Sequence, residues 1–451
     1  MPTQPIPSAS PSFLYSDRRL ARVVAQPLSR FLHVEAAGGI LLILATFAAL
    51  VWANAWPASY QSFLATEVRV QVGGYEFEED LLHLVNDLLM GLFFFVVGME
   101  IKRELVVGEL RDRKAVALPA MAAFGGMIVP AAIFLAINAG GDGRDGWGIP
   151  MATDVAFALG VVALLGSRVP ASIKVLLLTL AIVDDIGAIV VIAVFYTSDL
   201  EPIFLVFAAG VAVVVAVILR LDVTYPPIFL ILGLLLWLMV YESGVHATIA
   251  GVVMGLLTPA TARQTDLEAD EIVDVLEDRR DLHAADVRMA AFAIRGSISA
   301  CDRLIDGLHP WTSYVIVPLF AIANAGVQLD GGQLSDPSAV FIGVFLGLVI
   351  GKLVGISAFS WIAVRTGLGR LPEGTRWGHI VGVGTVAGIG FTVSLFITGL
   401  AFDELRLQDD AKIGTLTASI VAALAGWAVF SRVARPARNP TDGCSGDGTV
   451  P

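Results

Sequence analysis

The sequence predicts an all-α polytopic membrane protein with twelve transmembrane helices and a small β-hairpin outside the membrane. Of its 451 residues, 56% are hydrophobic and 16% are charged, and the mean hydropathy is +0.77. A soluble domain of this length could not bury so much apolar surface. Runs of about 20 mostly apolar residues, long enough to cross a bilayer, lie near 36–56, 81–100, 114–138, 147–166, 170–197, 202–220, 226–241, 245–259, 310–328, 338–364, 375–402 and 411–432.

Three of these predicted spans are irregular. Those at 226–241 and 245–259 are short for a membrane crossing, and the one at 147–166 is interrupted by Pro150, Thr153 and Asp154. Short or broken spans tend to line the substrate sites of transporters.

The distribution of Lys and Arg predicts that both termini are cytoplasmic. Positive residues concentrate in cytoplasmic loops, and with this orientation nearly all of the 29 Lys and Arg residues fall inside. The outer segments hold only Arg69, Arg144, Arg406 and Lys412, and Lys352 lies within a span. The net charge of −12 comes from acidic residues in loops, and nothing in the sequence favours nucleic-acid binding.

The predicted transmembrane domain covers residues 33–433, and residues 1–32 and 434–451 are predicted to be disordered cytoplasmic tails. The first tail contains Pro, Ser and Arg but no apolar segment typical of a cleaved signal peptide. Cys301 and Cys444 both fall on the cytoplasmic side without metal-ligand spacing. No cofactor is expected.

Two connections within the domain have patterns of their own. In the outer loop 57–80, residues 68–78 alternate around Gly73-Gly74, which predicts a β-hairpin. The hairpin could pair with a second copy or lie on its own protein. The cytoplasmic loop 260–309 begins with an acidic stretch and ends with Ile294, Ile298, Cys301, Ile305 and Leu308 at helical spacing, which predicts an amphipathic helix on the inner surface.

The most informative residues are Asp184 and Asp185, which are adjacent in the apolar run 170–197. One acidic residue at bilayer depth costs at least about 2.5–3.5 kcal/mol on insertion scales, so two in succession indicate a polar cavity with a function. Neighbouring helix positions point about 100° apart. Both side chains can therefore reach one cavity while contacting different partners.

Other polar residues inside the spans extend this set. They are Asp87 beside Asn86, Thr153 and Asp154 at the predicted helix break, His246 near the outer end of its span, Lys352 between glycines, and the Gly-rich segment 388–392. Broken helices expose N–H and C=O groups of opposite partial charge, which suits Asp154 and Lys352. Structural roles stay open: an ion pair for Asp154 and Lys352, a capping or core role for His246, and close helix packing for the glycines.

Two carboxylates in a dry, narrow site bind either protons or a hard cation, so the cation enters when protons leave. This is the minimum device for cation/proton exchange. The sequence contains no Gly-x-x-x-x-Gly-Lys-Ser/Thr string, so an ion gradient rather than a nucleotide is the expected energy source.

Several of these segments together closely resemble the NhaA-type sodium/proton antiporters, with the motifs in order over roughly residues 33–433. They are Ala152-Thr-Asp-Val-Ala-Phe-Ala-Leu-Gly160, Ala181-Ile-Val-Asp-Asp-Ile-Gly-Ala-Ile189, Val245-His-Ala-Thr-Ile-Ala-Gly251, Pro318-Leu-Phe-Ala-Ile-Ala-Asn-Ala-Gly-Val327, Gly351-Lys352 and Gly388-Ile-Gly-Phe-Thr392.

The resemblance implies inverted repeats with two broken helices crossing in mid-membrane, formed by spans three to five and ten to twelve. It implies that Asp185 is the main Na⁺ and H⁺ carrier, that Asp184 pairs with Lys352 when sodium is absent, and that Thr153 and Asp154 support the crossing. It further implies electrogenic export of Na⁺ or Li⁺ across the bacterial inner membrane, and dimerisation through the hairpin at 68–78.

The resemblance also suggests regulation by pH. The candidate residues are Glu100, Lys102, Arg103, Glu104, Asp87, His246 and His309. The sequence departs from the family at Ile305 and Asp306, where members often carry Glu and His before the His309-Pro310 pair that opens the ninth span. The resemblance implies alkaline activation, but with Ile305 and Asp306 at these positions it does not give the pH set point.

Two other functions compete with this interpretation. An intramembrane aspartyl protease also uses two aspartates, but it places them on different helices with one in Gly-x-Gly-Asp, and no span here contains that string. Another ion-coupled secondary transporter, such as an organic-anion symporter, would need a larger polar cavity. The sequence therefore favours a transporter over an enzyme.

Overall fold

The computed structural model describes residues 37–72, 75–166, 169–197, 200–221, 225–262, 283, 296–329 and 336–433. Both predicted tails and most of the acidic part of the loop 260–309 lie outside these residues. In order, the helices are α1 Ala37–Ala55, α2 Pro57–Leu64, α3 Leu81–Val106, α4 Arg113–Asn138, α5 Val155–Leu164, α6 Ala171–Phe195, α7 Pro202–Arg220, α8 Pro226–Glu242, α9 Thr248–Leu257, α10 Ala300–Trp311, α11 Val317–Asn324, α12 Ala339–Arg365, α13 Trp377–Val386, α14 Phe391–Ala401 and α15 Leu405–Val433.

Short irregular helices complete the described chain. A 3₁₀ segment at Asp142–Met151 precedes α5, and another lies at Glu109–Arg111. Wide π-type turns occur at Val85–Leu89 within α3, at Thr312–Ile316 between α10 and α11, and at Gly347–Gly351 within α12. Such turns often occur at functional sites.

The described residues contain seven helices long and apolar enough to cross a membrane, or up to nine if two bent pairs each form one span. The helices α8 and α9 are apolar but shorter. The protein is thus a mostly helical, multi-pass membrane protein, and the predicted total of twelve spans stays a prediction. Proline often defines where a span starts, as at Pro202 and Pro226, because its missing N–H costs nothing in the first helical turn.

The predicted β-hairpin is present. Strands β1 Glu67–Val72 and β2 Tyr75–Asp80 pair antiparallel, with Val72 opposite Tyr75 and Glu67 opposite Asp80. The carboxylate of Asp80 then accepts a hydrogen bond from the backbone N–H of His83 at 2.7 Å, which caps the start of α3.

The predicted amphipathic helix differs in extent from the structure. Helix α10 starts at Ala300, capped by the hydroxyl of Ser299, which accepts from the Asp302 N–H at 3.0 Å. Cys301 and Ile305 are buried, Ile298 is exposed, and Ile294 lies outside the described residues. Pro310 therefore lies inside helix α10 and is not the first residue of a helix. The π turn at Thr312–Ile316 begins two residues after the proline.

Glycine permits a very close helix contact beside the helix segment that carries Lys352. Gly125 of α4 and Gly355 of α12 face each other so closely that a Cβ on either would overlap the carbonyl oxygen of the other. Helix α12 carries Lys352 one turn earlier, so this contact brings the lysine against α4 and the 3₁₀ segment.

Candidate functional site

Two bent helix pairs lie against each other at the centre of the described residues. The segment Asp142–Met151 meets α5 at 46°, and α13 meets α14 at 47°. The N–H of Asp154 donates to the Ile389 carbonyl at 2.7 Å, and the Thr153 hydroxyl donates to the Ala387 carbonyl at 3.1 Å. Backbone groups freed by one break are therefore satisfied partly by the other.

The Asp154 carboxylate caps two half-helices at once. One of its oxygens accepts from the Phe157 N–H at 3.0 Å at the start of α5. The other accepts from the N–H and the hydroxyl of Thr392, at 3.2 and 2.7 Å, at the start of α14. Both helix N-termini carry partial positive charge. The buried carboxylate thus lies where its charge is offset.

Lys352 occupies the opposite electrostatic position. Its side chain is fully buried, and its Nζ donates to the carbonyl oxygen of Met151, the last residue of the 3₁₀ segment. The same ammonium donates to the Asp184 carboxylate at 2.6 Å. A positive group at a carbonyl end is favourable, and this ion pair is almost completely removed from solvent.

The two oxygens of Asp184 are unequally satisfied. Oδ2 accepts from Lys352 and from the Thr153 hydroxyl, the latter at 2.7 Å. Oδ1 is buried and has no hydrogen-bond partner among the described residues. A buried acceptor left unpaired costs about 1–3 kcal/mol. This unpartnered Oδ1 can therefore accept a proton or serve as one ligand of a cation.

Asp185 is the next residue along α6, and its side chain is only half-buried. Within the described part of the chain it makes no hydrogen bond and no ion pair. The described residues contain no group of three or more His, Cys, Asp or Glu side chains arranged to hold a metal ion. A cation bound here would rest on two carboxylates, supplemented by hydroxyl, carbonyl or water oxygens.

The structure brings Thr153, Asp184 and Lys352 into one hydrogen-bonded cluster. Asp154, the next residue after Thr153, bonds instead to the two helix N-termini, and Asp185 lies beside Asp184. The other residues predicted from the sequence lie in separate groups. Asp87 is on the π turn of α3 and lines a narrow space with Glu79, His83, Trp237 and Tyr241. His246 bonds through its Nε2 to the carbonyl oxygen of Tyr196.

The remaining candidates lie at the C-terminal end of α3 and the end of α10. Arg103 forms an ion pair with Asp302 of α10 at 3.0 Å, and Glu100, Lys102 and Glu104 occupy the same part of the helix. His309 lies at the end of α10. This group therefore connects α3 to the amphipathic helix.

Some groups of the cluster were not singled out from the sequence. Thr392 stands out in the sequence only as part of the Gly-rich motif, and a hydroxyl directly after a Gly-rich break is a detectable signal for the contact that it makes with Asp154. The carbonyl groups of Met151, Ala387 and Ile389 have no such signal, since every residue has a carbonyl group and only the fold decides which ones face the site.

Comparison with known proteins identifies the family. The profile of the family described as Na⁺/H⁺ antiporter 1 matches residues 29–430. The chain is 47% identical over 410 residues to the Na⁺/H⁺ antiporter NhaA 3 of Frankia alni, covering 90% of this chain and 89% of the relative.

Two further relatives agree. The Na⁺/H⁺ antiporter NhaA of Rhodopirellula baltica is 48% identical over 414 residues, 90% of this chain and 93% of the relative. That of Shewanella loihica is 45% identical over 412 residues, 90% of this chain and 97% of the relative. These relatives are named as transporters and not as enzymes. This chain belongs to the Na⁺/H⁺ antiporter 1 family of NhaA-type proteins.

Proposed function

We propose that the protein is an electrogenic antiporter that exports Na⁺ or Li⁺ in exchange for a larger number of protons, which compete with the cation at Asp184 and Asp185. The observation that carries the proposal is the buried Asp184–Lys352 pair, with one carboxylate oxygen unpartnered and a second carboxylate at the next position.

The proposed cycle starts from the sodium-free arrangement, in which Lys352 neutralises Asp184. Asp185 then carries the exchangeable proton, because no described residue offers it a counter-charge in direct contact. When Asp185 loses its proton, Na⁺ can bind between Asp185 and Oδ1 of Asp184. A cation bound beside Asp184 weakens the ion pair between Asp184 and Lys352, since two positive charges would then share one carboxylate.

Electrogenic exchange follows if more than one proton leaves for each Na⁺ bound. Asp185 supplies one proton. Lys352 supplies another when it is displaced from Asp184, because an ammonium without a counter-ion is costly in a desolvated site. The single proton of the Thr153 hydroxyl can go to Asp184 at 2.7 Å or to the Ala387 carbonyl at 3.1 Å, and Asp154 holds the two N-termini. These two residues would keep the broken helices in place while the charges change.

We also propose the finer topology that the family resemblance implies. It comprises a single domain at 33–433 with twelve spans, inverted repeats, cytoplasmic termini with tails at 1–32 and 434–451, and a location in the bacterial inner membrane. Its support is the positive-inside distribution and the near-equal bends of 46° and 47° in two pairs that pack break to break.

Dimerisation through residues 68–78 is part of the proposal. A two-stranded sheet leaves backbone N–H and C=O groups unpaired along its outer edges, and such edges pair readily with a second copy. Pairing of two hairpins would give a continuous sheet outside the ion path.

Regulation by pH is proposed to act through Glu100, Lys102, Arg103, Glu104 and His309, with Asp87 and His246 as candidates towards the outer end. The support at the inner end is the Arg103–Asp302 ion pair, which joins α3 to α10. Charge changes there would alter how these helices pack.

The test is ion exchange in everted membrane vesicles. Respiration acidifies their lumen, and addition of Na⁺ or Li⁺ should dissipate the pH gradient in vesicles that contain the protein. The Asp185→Asn variant should give no dissipation at equal expression. A gradient unchanged by both cations in wild-type vesicles, at every pH tested, would refute the proposed function.

A further inference from the structure

Tyr196 makes contacts that the proposed cycle does not use. It directly follows α6, the helix that carries Asp184 and Asp185. Its hydroxyl donates to the Asp145 carbonyl at 2.7 Å and accepts from the Gly148 N–H at 3.0 Å. Both partners belong to the 3₁₀ segment Asp142–Met151. One phenol group therefore satisfies two backbone groups of the first half of the broken span.

The ring of Tyr196 is held as firmly as its hydroxyl. It stacks on Trp147 with the ring centroids 6.3 Å apart and an interplanar angle of 23°. A Cβ added at Gly148 would lie 2.7 Å from the tyrosine hydroxyl oxygen and 3.0 Å from Cε2. Contacts that short essentially do not occur, so the glycine is what allows the ring to reach the backbone.

The segment held by Tyr196 is the one that contacts the ion site. Three residues after Gly148, the Met151 carbonyl accepts from Lys352, and Thr153 then donates to Asp184. Hydrogen bonds thus join the first half of the broken span to α6 and its C-cap at two places, by Tyr196 and, at the break, by Thr153. Trp147 adds an edge-on contact with Phe195 of α6, with the ring centroids 5.1 Å apart. Nothing else described bonds Gly148 or Asp145 to α6.

We infer that Tyr196 is a positioning residue for the ion site: its hydroxyl fixes the 3₁₀ segment on α6 and so keeps the Met151 carbonyl in place as a partner of Lys352. Without this partner, the ammonium depends on Asp184 alone and competes more strongly with Na⁺ for that carboxylate. Loss of the hydroxyl should therefore weaken Na⁺ binding before it slows turnover.

The carbonyl of Tyr196 faces a different element. His246, between α8 and α9, bonds to it through Nε2. The residue thus also connects the loop of His246 to the broken span, and movement of that loop would reach the ion site through the same residue.

The test compares Tyr196→Phe with a matched control, Thr197→Val. Thr197 also follows α6, but its hydroxyl donates only to Ala193 of the same helix, at 2.8 Å. Both variants remove one hydroxyl at the same helix end. Hydrogen exchange of the purified protein, followed by mass spectrometry over residues 142–151, measures whether the segment is released. Exchange assays in proteoliposomes measure the KM for Na⁺ and kcat.

In Tyr196→Phe we expect amide exchange in the segment to be about three- to tenfold faster and the KM for Na⁺ to rise by a similar factor, with kcat changed by less than about twofold. Thr197→Val should leave both unchanged. Faster amide exchange with an unchanged KM would overturn the inference, because the hydroxyl would then be structural only. A raised KM without faster amide exchange would overturn it as well.

Gly148→Ala provides a second route to the same contact. The added methyl should push the ring away and raise the KM, whereas in combination with Tyr196→Phe its effect should be smaller than the product of the two single effects. Independent effects would contradict a shared contact. The inference rests on the proposed function, so Na⁺/H⁺ exchange by the wild type is measured first. Absence of this ion exchange would refute the proposed function. The contact of Tyr196 with the 3₁₀ segment is tested separately, by amide hydrogen exchange.

Discussion

Replacement of Lys352 by alanine separates a transport role for this lysine from a structural one. The side chain is fully buried and donates to Asp184 at 2.6 Å and to the Met151 carbonyl. Removal of one partner of a buried ion pair costs about 3–5 kcal/mol if the remaining charge stays in place. Asp184 can avoid most of this cost by taking up a proton, so we expect the folded protein to persist.

The consequence for transport depends on pH. Protons then compete with Na⁺ at Asp184 without an ammonium beside it, and a single competing proton raises the apparent KM by at most about tenfold for each pH unit. From pH 8.5 to pH 7 the KM for Na⁺ should therefore rise more steeply in Lys352→Ala than in the wild type. The one additional competing proton accounts for a further rise of up to about thirtyfold over these 1.5 pH units. The charge moved per cycle should fall if Lys352 carries a proton.

The assay measures Na⁺ dependence and the response to membrane potential in proteoliposomes at both pH values. Lys174→Ala is the matched control, because Lys174 lies on α6 with the two aspartates but in the first turn of the helix and outside the hydrogen-bonded cluster. A Lys352→Ala protein that is only less thermostable, with unchanged Na⁺ affinity and unchanged electrogenicity, would refute the reasoning and leave the lysine a structural role.

Three further predictions address separate parts of the molecule. Thr392→Val removes the 2.7 Å hydrogen bond to Asp154 and should lower the free energy of unfolding by about 1 kcal/mol and raise the KM for Na⁺. Its control, Thr398→Val, loses only a hydrogen bond within its own helix and should leave the KM unchanged. Equal effects of the two variants on the KM would show that Asp154 does not need the Thr392 hydroxyl. Deletion of residues 68–78 should weaken dimerisation in detergent and spare exchange, and an undiminished dimer would place the contact elsewhere. Burial and the neighbouring Asp302 raise the pKa of Cys301 to about 11. At pH 7.5 its thiolate should therefore be about a hundredfold scarcer than that of an exposed cysteine, and maleimide should label it slowly. In a Cys444→Ser background, labelling of the folded protein as fast as that of the unfolded protein would contradict this environment.

Much of the fold is readable from the sequence because bilayer-spanning segments must be apolar and about 20 residues long. The positions of α3, α4, α6 and α12 follow from this rule, and the hairpin follows from alternation around Gly73-Gly74. The bounds of α10 do not, because the helical spacing begins at Ile294 and Pro310 is a typical first residue of a helix, whereas α10 is capped by Ser299 and contains Pro310. Periodicity alone cannot rank two such signals.

The site was predictable where a charged side chain lies in an apolar run. Asp184, Asp185 and Lys352 stand out for that reason, and Asp154 stands out beside a predicted break. Which of them make contact is a property of the crossing: Thr153 bonds to Asp184 and to the Ala387 carbonyl, and Asp154 bonds to Thr392. Such long-range pairs, like that between Tyr196 and Gly148, depend on backbone positions that no local pattern specifies.

The central claim is that Na⁺ and H⁺ compete at the carboxylate pair, and proton release on Na⁺ binding tests it most directly. Purified protein in weakly buffered detergent solution near neutral pH is mixed with NaCl or, as a control, choline chloride, and a pH indicator records the protons released. The account predicts release by the wild type on addition of Na⁺ only, and none by Asp185→Asn. Saturable Na⁺ binding without proton release, or undiminished release by Asp185→Asn, would contradict it.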